Sequence, residues 1–431
     1  MITSPAWKDR KYAVLGLARS GRATVEALLA SGADVLVWDD RAEAREPYAG
    51  RCALGDPLEA DLAGYAGVIV SPGVPLNTHP IKPHADRFGV PVIGDVELFA
   101  QARTDLPPHK VVGITGTNGK STTTALTHHI LKQAGVPTTM GGNIGLPILE
   151  QDPLPEGGVY VLELSSYQID LTFSLDCDVA VLLNITPDHL DRYDWDFQKY
   201  AASKSRLLTM QTRGHNSIAR FTDARSLGNF AEGSIASILE DVLANRGIAG
   251  EEQADWPSLQ GPHNRENAAA AIEICDILGL SSGDIRSGLQ TYPGLPHRME
   301  RVAEVAGVAY VNDSKGTNTA ASAPALAAFD NIHWILGGLA KEPGLGECEA
   351  ELSHVKAVYT IGKAGPDFAA LLEGRVPVER CETLDRAVSA AAAKAEPGDT
   401  VLLSPACASF DQYADFEKRG DHFRALVEGL Q

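Results

Sequence analysis

Short apolar runs alternate with helical patterns along this chain in three successive series. The first opens with an apolar strand over residues 12–17 and a helix over 21–30 closed by Ser31-Gly32. A second strand follows over 34–38, and a later one over 68–70 ends at Ser71-Pro72-Gly73. Residues 101–110, with Pro107-Pro108, read as a linker. The second series places strands at 111–115, 159–164 and 179–184, with an Ala-rich helix over 268–278. After Pro293-Gly294-Leu295-Pro296, strands at 309–312, 332–336, 357–361 and 400–403 alternate with helices. Strands separated by helices build parallel sheets, so the pattern predicts an α/β protein of three doubly wound domains. The predicted boundaries are 1–98, 99–296 and 297–431.

Composition narrows this reading. With 431 residues, 44% apolar and 22% charged, the chain is globular and long enough for about three domains. A formal charge of −19 disfavours nucleic-acid binding through the phosphate backbone. There is no apolar run of about 18 residues to span a membrane, and the N-terminus has no signal-peptide core. The six cysteines form no Cys-x-x-Cys pair, which argues against structural zinc and for a reducing compartment, with cytoplasm as the default.

The chemistry concentrates in the second series. Val111-Val112-Gly113-Ile114 runs into Thr115-Gly116-Thr117-Asn118-Gly119-Lys120-Ser121-Thr122 and then a helical pattern over 123–131. Strand, glycine-rich turn, Lys-Ser and helix make a phosphate cradle: small residues expose backbone N–H groups, and the helix N-terminus adds positive potential. Lys120 is placed to reach β/γ-phosphates and the Ser121 hydroxyl to help hold Mg²⁺. The first glycine of the general motif is missing, since Ile114 stands there. Further along, Gly141-Gly142-Asn143-Ile144-Gly145 offers backbone donors and an amide. Glu163 ends a buried strand, and Asp188-His189 lies just beyond another. Taken singly, Glu163 reads better as a capping or ion-paired acid, and His189 as a hydrogen-bonded loop histidine. Several polar groups at strand ends facing one crevice argue for a nucleotide and metal site.

The first series carries a degenerate dinucleotide fingerprint, Gly16-Leu17-Ala18-Arg19-Ser20-Gly21, with Asp39 ending the next strand. Ala18 replaces the glycine that admits a pyrophosphate, so NAD is disfavoured, while some nucleotide at this switch point is expected.

Eight ordered clusters resemble the Mur ligase family. They are residues 116–122, 141–145, Glu163-Leu164-Ser165-Ser166-Tyr167-Gln168, Asp188-His189-Leu190-Asp191-Arg192-Tyr193, 261–267, Leu295-Pro296-His297-Arg298, 312–318 and 404–413. The resemblance covers nearly the whole chain and is nearest the branch that adds D-glutamate to UDP-N-acetylmuramoyl-L-alanine. It implies an ATP-dependent amide ligase of cytoplasmic peptidoglycan synthesis, acting as a monomer through an acyl phosphate. ATP phosphates would lie on Gly116, Thr117, Asn118, Gly119, Lys120, Ser121 and Thr122. Asn267, Arg298, Asp313 and Lys315 would hold the nucleotide between the second and third domains. Ser121 and Glu163 would serve one Mg²⁺ and His189 a second, with Lys204 carbamylated into a carboxylate-like ligand. Lys120, Glu163, His189 and Lys204 form the implied catalytic set. Arg19, Ser20, Asp39, Asp40, Arg41, Ser71, Gly73, Asn143 and His189 would bind the UDP-substrate, and Thr317, Lys341, Ser409, Phe410 and Phe416 the glutamate.

The chain departs from the family pattern twice. Gly337-Gly338-Leu339-Ala340-Lys341-Glu342 replaces the usual Gly-Gly-Asp-Gly-Lys, and residues 217–223 are shorter and more polar than the usual strand. Other readings are a sister ligase using another amino acid such as L-glutamate, a folylpolyglutamate synthase, a catalytically silent nucleotide-binding regulator, and a nicotinamide-dependent dehydrogenase.

Overall fold

The computed structural model describes residues 1–219, 235–238 and 253–430. Three sheets follow one another along the chain. The first contains β1 (Lys11–Leu15), β2 (Asp34–Trp38), β3 (Ala53–Leu54), β4 (Tyr65–Val70) and β5 (Val92–Ile93), all parallel in the order β3-β2-β1-β4-β5. The second contains β6 (His109–Thr115), β7 (Thr138–Gly142), β8 (Gly158–Glu163), β9 (Val179–Leu182), β10 (Asn216–Ala219) and β11 (Ile235–Ile238). It too is wholly parallel, in the order β11-β10-β9-β6-β8-β7. The third contains β12 (Glu300–Val305), β13 (Val308–Asn312), β14 (Ile332–Gly337), β15 (Val355–Ile361), β16 (Val378–Glu382) and β17 (Thr400–Leu403), in the order β12-β13-β17-β14-β15-β16. Among the described strands of this sheet, β12, at its edge, runs antiparallel to its neighbour and the others pair parallel.

The expected α/β architecture is present, and its physical signature is burial. In β8 and β9 every residue is buried, as strands covered by helices on both faces must be. In β14 alternate residues serve different cores: Trp334 and Leu336 enter one apolar cluster and Ile335 the other.

By its contacts the chain forms two compact units, residues 1–247 with 269–288, and residues 248–268 with 289–431. The first unit holds both of the first two sheets around one continuous apolar cluster that includes Trp7, Val14, Phe99, Tyr160 and Leu162. The Phe99 and Tyr160 rings meet edge to face with centroids 5.1 Å apart.

This corrects the linker expected at 101–110. Helix Asp95–Ala102, a short 3₁₀ turn Arg103–Asp105 and the start of β6 occupy it. Arg103 fixes the segment by donating to Asp176 O and Asp178, and Leu106 packs on the core. Three helices begin earlier than the apolar period suggests, at Arg19, Lys120 and Pro262, because their first turns consist of loop-type polar residues. Of the unusual segment 217–223, residues 217–219 complete β10 and residues 220–223 lie outside the described residues.

Candidate active site

The phosphate-type loop sits at the C-terminal end of β6, flanked by β8 and β9, where the sheet order reverses. That is the position at which open α/β sheets bind ligands. Gly116 (φ 154°) and Gly119 (φ 83°) adopt backbone angles that L side chains avoid, and a methyl on Gly116 would lie 3.0 Å from Leu183 Cβ. Thr117 N donates to Asn184 O at 2.9 Å, and Asn118 N to Asn184 Oδ1 at 2.9 Å. The loop is thus pinned from the end of β9, a role for Asn184 that was not read from sequence. Lys120 opens helix Lys120–Gln133, and its ammonium donates to Gly116 O (2.9 Å) and Thr117 O (2.8 Å).

A cleft of about 280 Å³ opens beside this loop, lined by Pro72, Gly73, Lys120, Asn143, Ser165, Ser166, Tyr167, Asp188, His189, Tyr200 and Lys204. Five of the residues to which the family resemblance gave a role (Gly73, Lys120, Asn143, His189 and Lys204) therefore line one cleft, although they span 132 positions from 73 to 204.

Lys204 projects from helix Phe197–Thr209, is 2% exposed, and donates to Gly116 O at 2.8 Å. Its ammonium lies 4.8 Å from the Tyr200 ring centroid, and Tyr200 OH contacts Thr117 Oγ1 at 3.0 Å. Burial and the neighbouring Lys120 charge bring the Lys204 amine down to about 7. At neutral pH a large share of it is therefore the nucleophilic free amine.

Glu163 closes β8 at 2% exposure. Its Oε1 accepts from Asn143 Nδ2 at 2.9 Å, and its Oε2 is buried without a hydrogen-bond partner. A buried carboxylate oxygen left without a donor is costly, and a cation resolves it. Among the described residues no cluster of three or more His, Cys, Asp or Glu side chains could hold a metal by itself. Sparse carboxylates suit Mg²⁺, which keeps waters and takes substrate phosphates as further ligands.

His189 holds the left-handed conformation (φ 52°) at the start of a 3₁₀ turn, as Asp194 and Trp195 do after it. Non-glycine residues are uncommon in that region, and three within seven positions give this segment a tightly turned backbone. His189 is exposed, lies 3.5 Å from Asp188, and faces the Tyr167 ring at 5.4 Å between centroids.

The first sheet brings its own loops to this edge. Leu17 N donates to Asp39 Oδ2 at 2.7 Å, and Arg41 donates to Asp39 Oδ1 from both its backbone N and Nε. Burial raises the Asp39 carboxyl, but the hydrogen bonds from Arg41 and Leu17 outweigh it and hold it at about 2. Asp39 is therefore engaged in shaping its own loop, with Asp40 and Arg41 exposed beside it. Ser71 Oγ donates to Gly16 O at 2.9 Å, and Arg19 reaches Gly145 O at 2.8 Å, tying the glycine turn after β7 to the first sheet. Ser20 sits in the first turn of helix Arg19–Ala30.

In the second unit, Asp313 and Thr317 follow the end of β13, Lys341 the end of β14, and Ser409 and Phe410 the end of β17. Asp313, just past β13, is buried; it accepts from Ser404 Oγ (2.7 Å) and Met299 N (3.2 Å), and burial lifts its carboxyl to about 7. Arg298 lies between two left-handed residues, His297 (φ 61°) and Met299 (φ 42°), with Nε buried and without a hydrogen-bond partner. Lys315 lies 5.4 Å from the Phe416 ring centroid, and Asn267 donates to Asn264 Oδ1 at 3.2 Å. Lys341 donates to Thr317 Oγ1 at 3.3 Å, so the altered glycine segment still delivers this lysine. The segment is held by paired backbone bonds between Leu339 and Ala408, which also places Ser409, buried, and Phe410, exposed, beside it. Arg419, 1% exposed, binds Ser314 O and Cys407 O and so fixes both loops from helix Phe416–Glu428. A single arginine in a helical pattern gave no sequence signal for that.

Three family models match the chain: the Mur ligase MurD-like N-terminal domain over residues 10–94, the Mur ligase middle domain over 114–240, and the Mur ligase glutamate ligase domain over 297–407. Together with the full-length relatives below, these matches show that the chain belongs to the Mur ligase family, and its phosphate loop lies within the middle-domain match. It is 61% identical over 430 residues to the UDP-N-acetylmuramoylalanine--D-glutamate ligase of Novosphingobium aromaticivorans, covering 100% of this chain and 97% of that one. The enzyme of the same name from Zymomonas mobilis is 54% identical, with 100% of both chains covered. Among solved structures, the MurF ligase of Thermotoga maritima in complex with ADP shares the fold at a TM-score of 0.59 and 15% identity, over 99% of this chain and 97% of that one.

Proposed function

We propose that this chain is an ATP-dependent ligase that joins D-glutamate to UDP-N-acetylmuramoyl-L-alanine in peptidoglycan precursor synthesis. The observation that carries the reading is the cleft in which Lys120, Lys204, Asn143 and His189 meet, with Gly73 on its wall. Residues 1–98 would take the UDP part, through Arg19, Ser20, Asp39, Asp40, Arg41, Ser71 and Gly73. Residues 99–296 would take the triphosphate and residues 297–431 the amino acid, on Thr317, Lys341, Ser409, Phe410 and Phe416.

A carboxylate and an amine do not condense readily in water, so the substrate carboxylate must first be activated. Its oxygen attacks the γ-phosphorus of ATP, and the bond to the β-phosphate oxygen breaks, releasing ADP. The glutamate amine then attacks the acyl carbon, loses a proton, and phosphate leaves. Lys120 offsets charge on the transferring group, where fixed charge lowers the barrier most. Asn267, Arg298, Asp313 and Lys315 hold the nucleotide. Asn143 orients Glu163 and, with His189, meets the sugar–peptide end of the substrate. The buried oxygen of Glu163, with Ser121, His189 and a carbamylated Lys204, would hold Mg²⁺, two ions in this reading. When bound, Mg²⁺ supplies neutralisation of phosphate charge. Carbamylation needs the free amine: CO₂ adds to Lys204 Nζ with release of a proton, which an amine lowered to about 7 permits. No described helix is long and apolar enough to cross a membrane. Like the rest of this proposal, a monomeric cytoplasmic enzyme follows from the family resemblance.

The test is phosphate release by the purified protein with ATP, Mg²⁺ and UDP-N-acetylmuramoyl-L-alanine, offered D-Glu, L-Glu, L-Lys or diaminopimelate. Release with D-Glu alone is expected. Release with L-Glu but not D-Glu would move the chain to a sister activity, and no release with any of them would sink the ligase reading.

A further inference from the structure

The loop after β4, residues 71–77, presents two successive carbonyls toward the middle sheet. Arg192 Nη2 donates to Gly73 O at 2.9 Å and Nη1 to Val74 O at 3.0 Å. Asn77 Nδ2 answers from the other side, donating to Asp191 O at 2.9 Å. The same guanidinium lies 4.6 Å from the Tyr167 ring centroid. Tyr167 lines the cleft and faces His189. The Arg192 backbone N–H donates to His189 O at 3.0 Å, closing the turn in which His189 holds its left-handed angle. One residue thus touches the first-sheet loop, the aromatic wall of the cleft and the His189 turn. A planar guanidinium holds two neighbouring carbonyls in one rigid fork while its flat face lies on a ring; an ammonium is a point donor with rotatable N–H groups and no plane to fix that geometry.

We propose that Arg192 is a positioning residue for the UDP-substrate. It sets Gly73-Val74 at a fixed place against Tyr167 and His189, so that a substrate held by the first sheet delivers its carboxyl end into the cleft. The proposal rests on the ligase reading above, which places Gly73 and His189 in substrate binding. Nucleotide contacts on residues 116–122 do not pass through Arg192, so the two binding events separate.

The experiment uses the full chain carrying R192K or R192Q. Calorimetry with UDP-N-acetylmuramoyl-L-alanine in the absence of ATP, calorimetry with MgADP, and steady-state kinetics are measured on each. For both variants we expect the Kd and KM of the UDP-substrate to rise on the order of ten-fold or more, the loss expected for charge-assisted hydrogen bonds. ADP affinity, the KM for D-Glu and the melting temperature stay near wild type. Wild-type substrate affinity in R192K would overturn the proposal, since charge without the fork would then suffice. Parallel loss of ADP and UDP-substrate binding, or failure of both variants to fold, would make Arg192 a general structural tie and overturn it equally. A wild-type protein that ligates nothing to UDP-N-acetylmuramoyl-L-alanine would overturn the functional reading, and this proposal with it.

Discussion

Replacing Glu163 with glutamine should reverse sign between stability and activity. Oε1 of Glu163 accepts from Asn143, and a glutamine oxygen can keep that bond. Oε2 is buried without a partner, at a residue 2% exposed. Taking a carboxylate out of water costs several kcal/mol when no cation answers it, whereas a neutral amide costs about 1–3. The nearby Lys204 ammonium already offsets part of that cost, so metal-free E163Q should melt no lower than wild type, with at most about 1 kcal/mol of stabilisation as the expected scale. Mg²⁺ changes the comparison. A ligand present at about 100 times its Kd stabilises the native state by roughly 2.7 kcal/mol. At about 2 °C per kcal/mol for a unit of this size, wild type should gain on the order of 5 °C with Mg²⁺ and ADP, and E163Q far less. Ligation in E163Q should fall by at least a hundred-fold, the scale seen when one preorganised electrostatic group is removed. Thermal melts with and without MgADP, alongside phosphate release, decide it. Equal MgADP stabilisation of the two proteins would refute the reasoning, as would a metal-free variant markedly less stable than wild type.

Two further outcomes follow from other parts of the molecule. Burial holds the Asp313 carboxyl at about 7, far above its unfolded value of 3.8, so the folded state binds the extra proton between those values. Stability from this group is full below about pH 4 and is lost as pH rises through about 7; D313N should flatten that slope in pH-dependent denaturation while lowering ligation, and an unchanged slope would contradict it. In the first sheet, a methyl on Gly21 would lie 1.9 Å from Gly16 O, so G21A should force helix Arg19–Ala30 off β1 and cost about 1–3 kcal/mol in urea unfolding, with weaker UDP-substrate binding. A fully stable G21A would show that the helix can shift without consequence.

The sequence by itself determined the α/β class, the phosphate loop and the order of the three sheets. These depend on short-range physics: apolar runs bounded by turn residues make strands, and Gly116 and Gly119 can take angles closed to other residues. The resemblance to a family named the site residues, and the geometry brings Lys120, Asn143, His189 and Lys204 to one cleft. Tertiary structure alone decided the rest. The free-amine character of Lys204 comes from burial beside Lys120, 84 positions away in the chain. The unpartnered oxygen of Glu163, the engagement of Asp39 by Leu17 and Arg41, and the fork of Arg192 on Gly73 and Val74 are set by what packs alongside. The supposed linker at 101–110 failed for the same reason, because Pro107-Pro108 reports local stiffness and says nothing of the core that Arg103 and Leu106 join. Local patterning chooses elements, while burial and long-range partners choose charge states and bonds, and no window of sequence contains those.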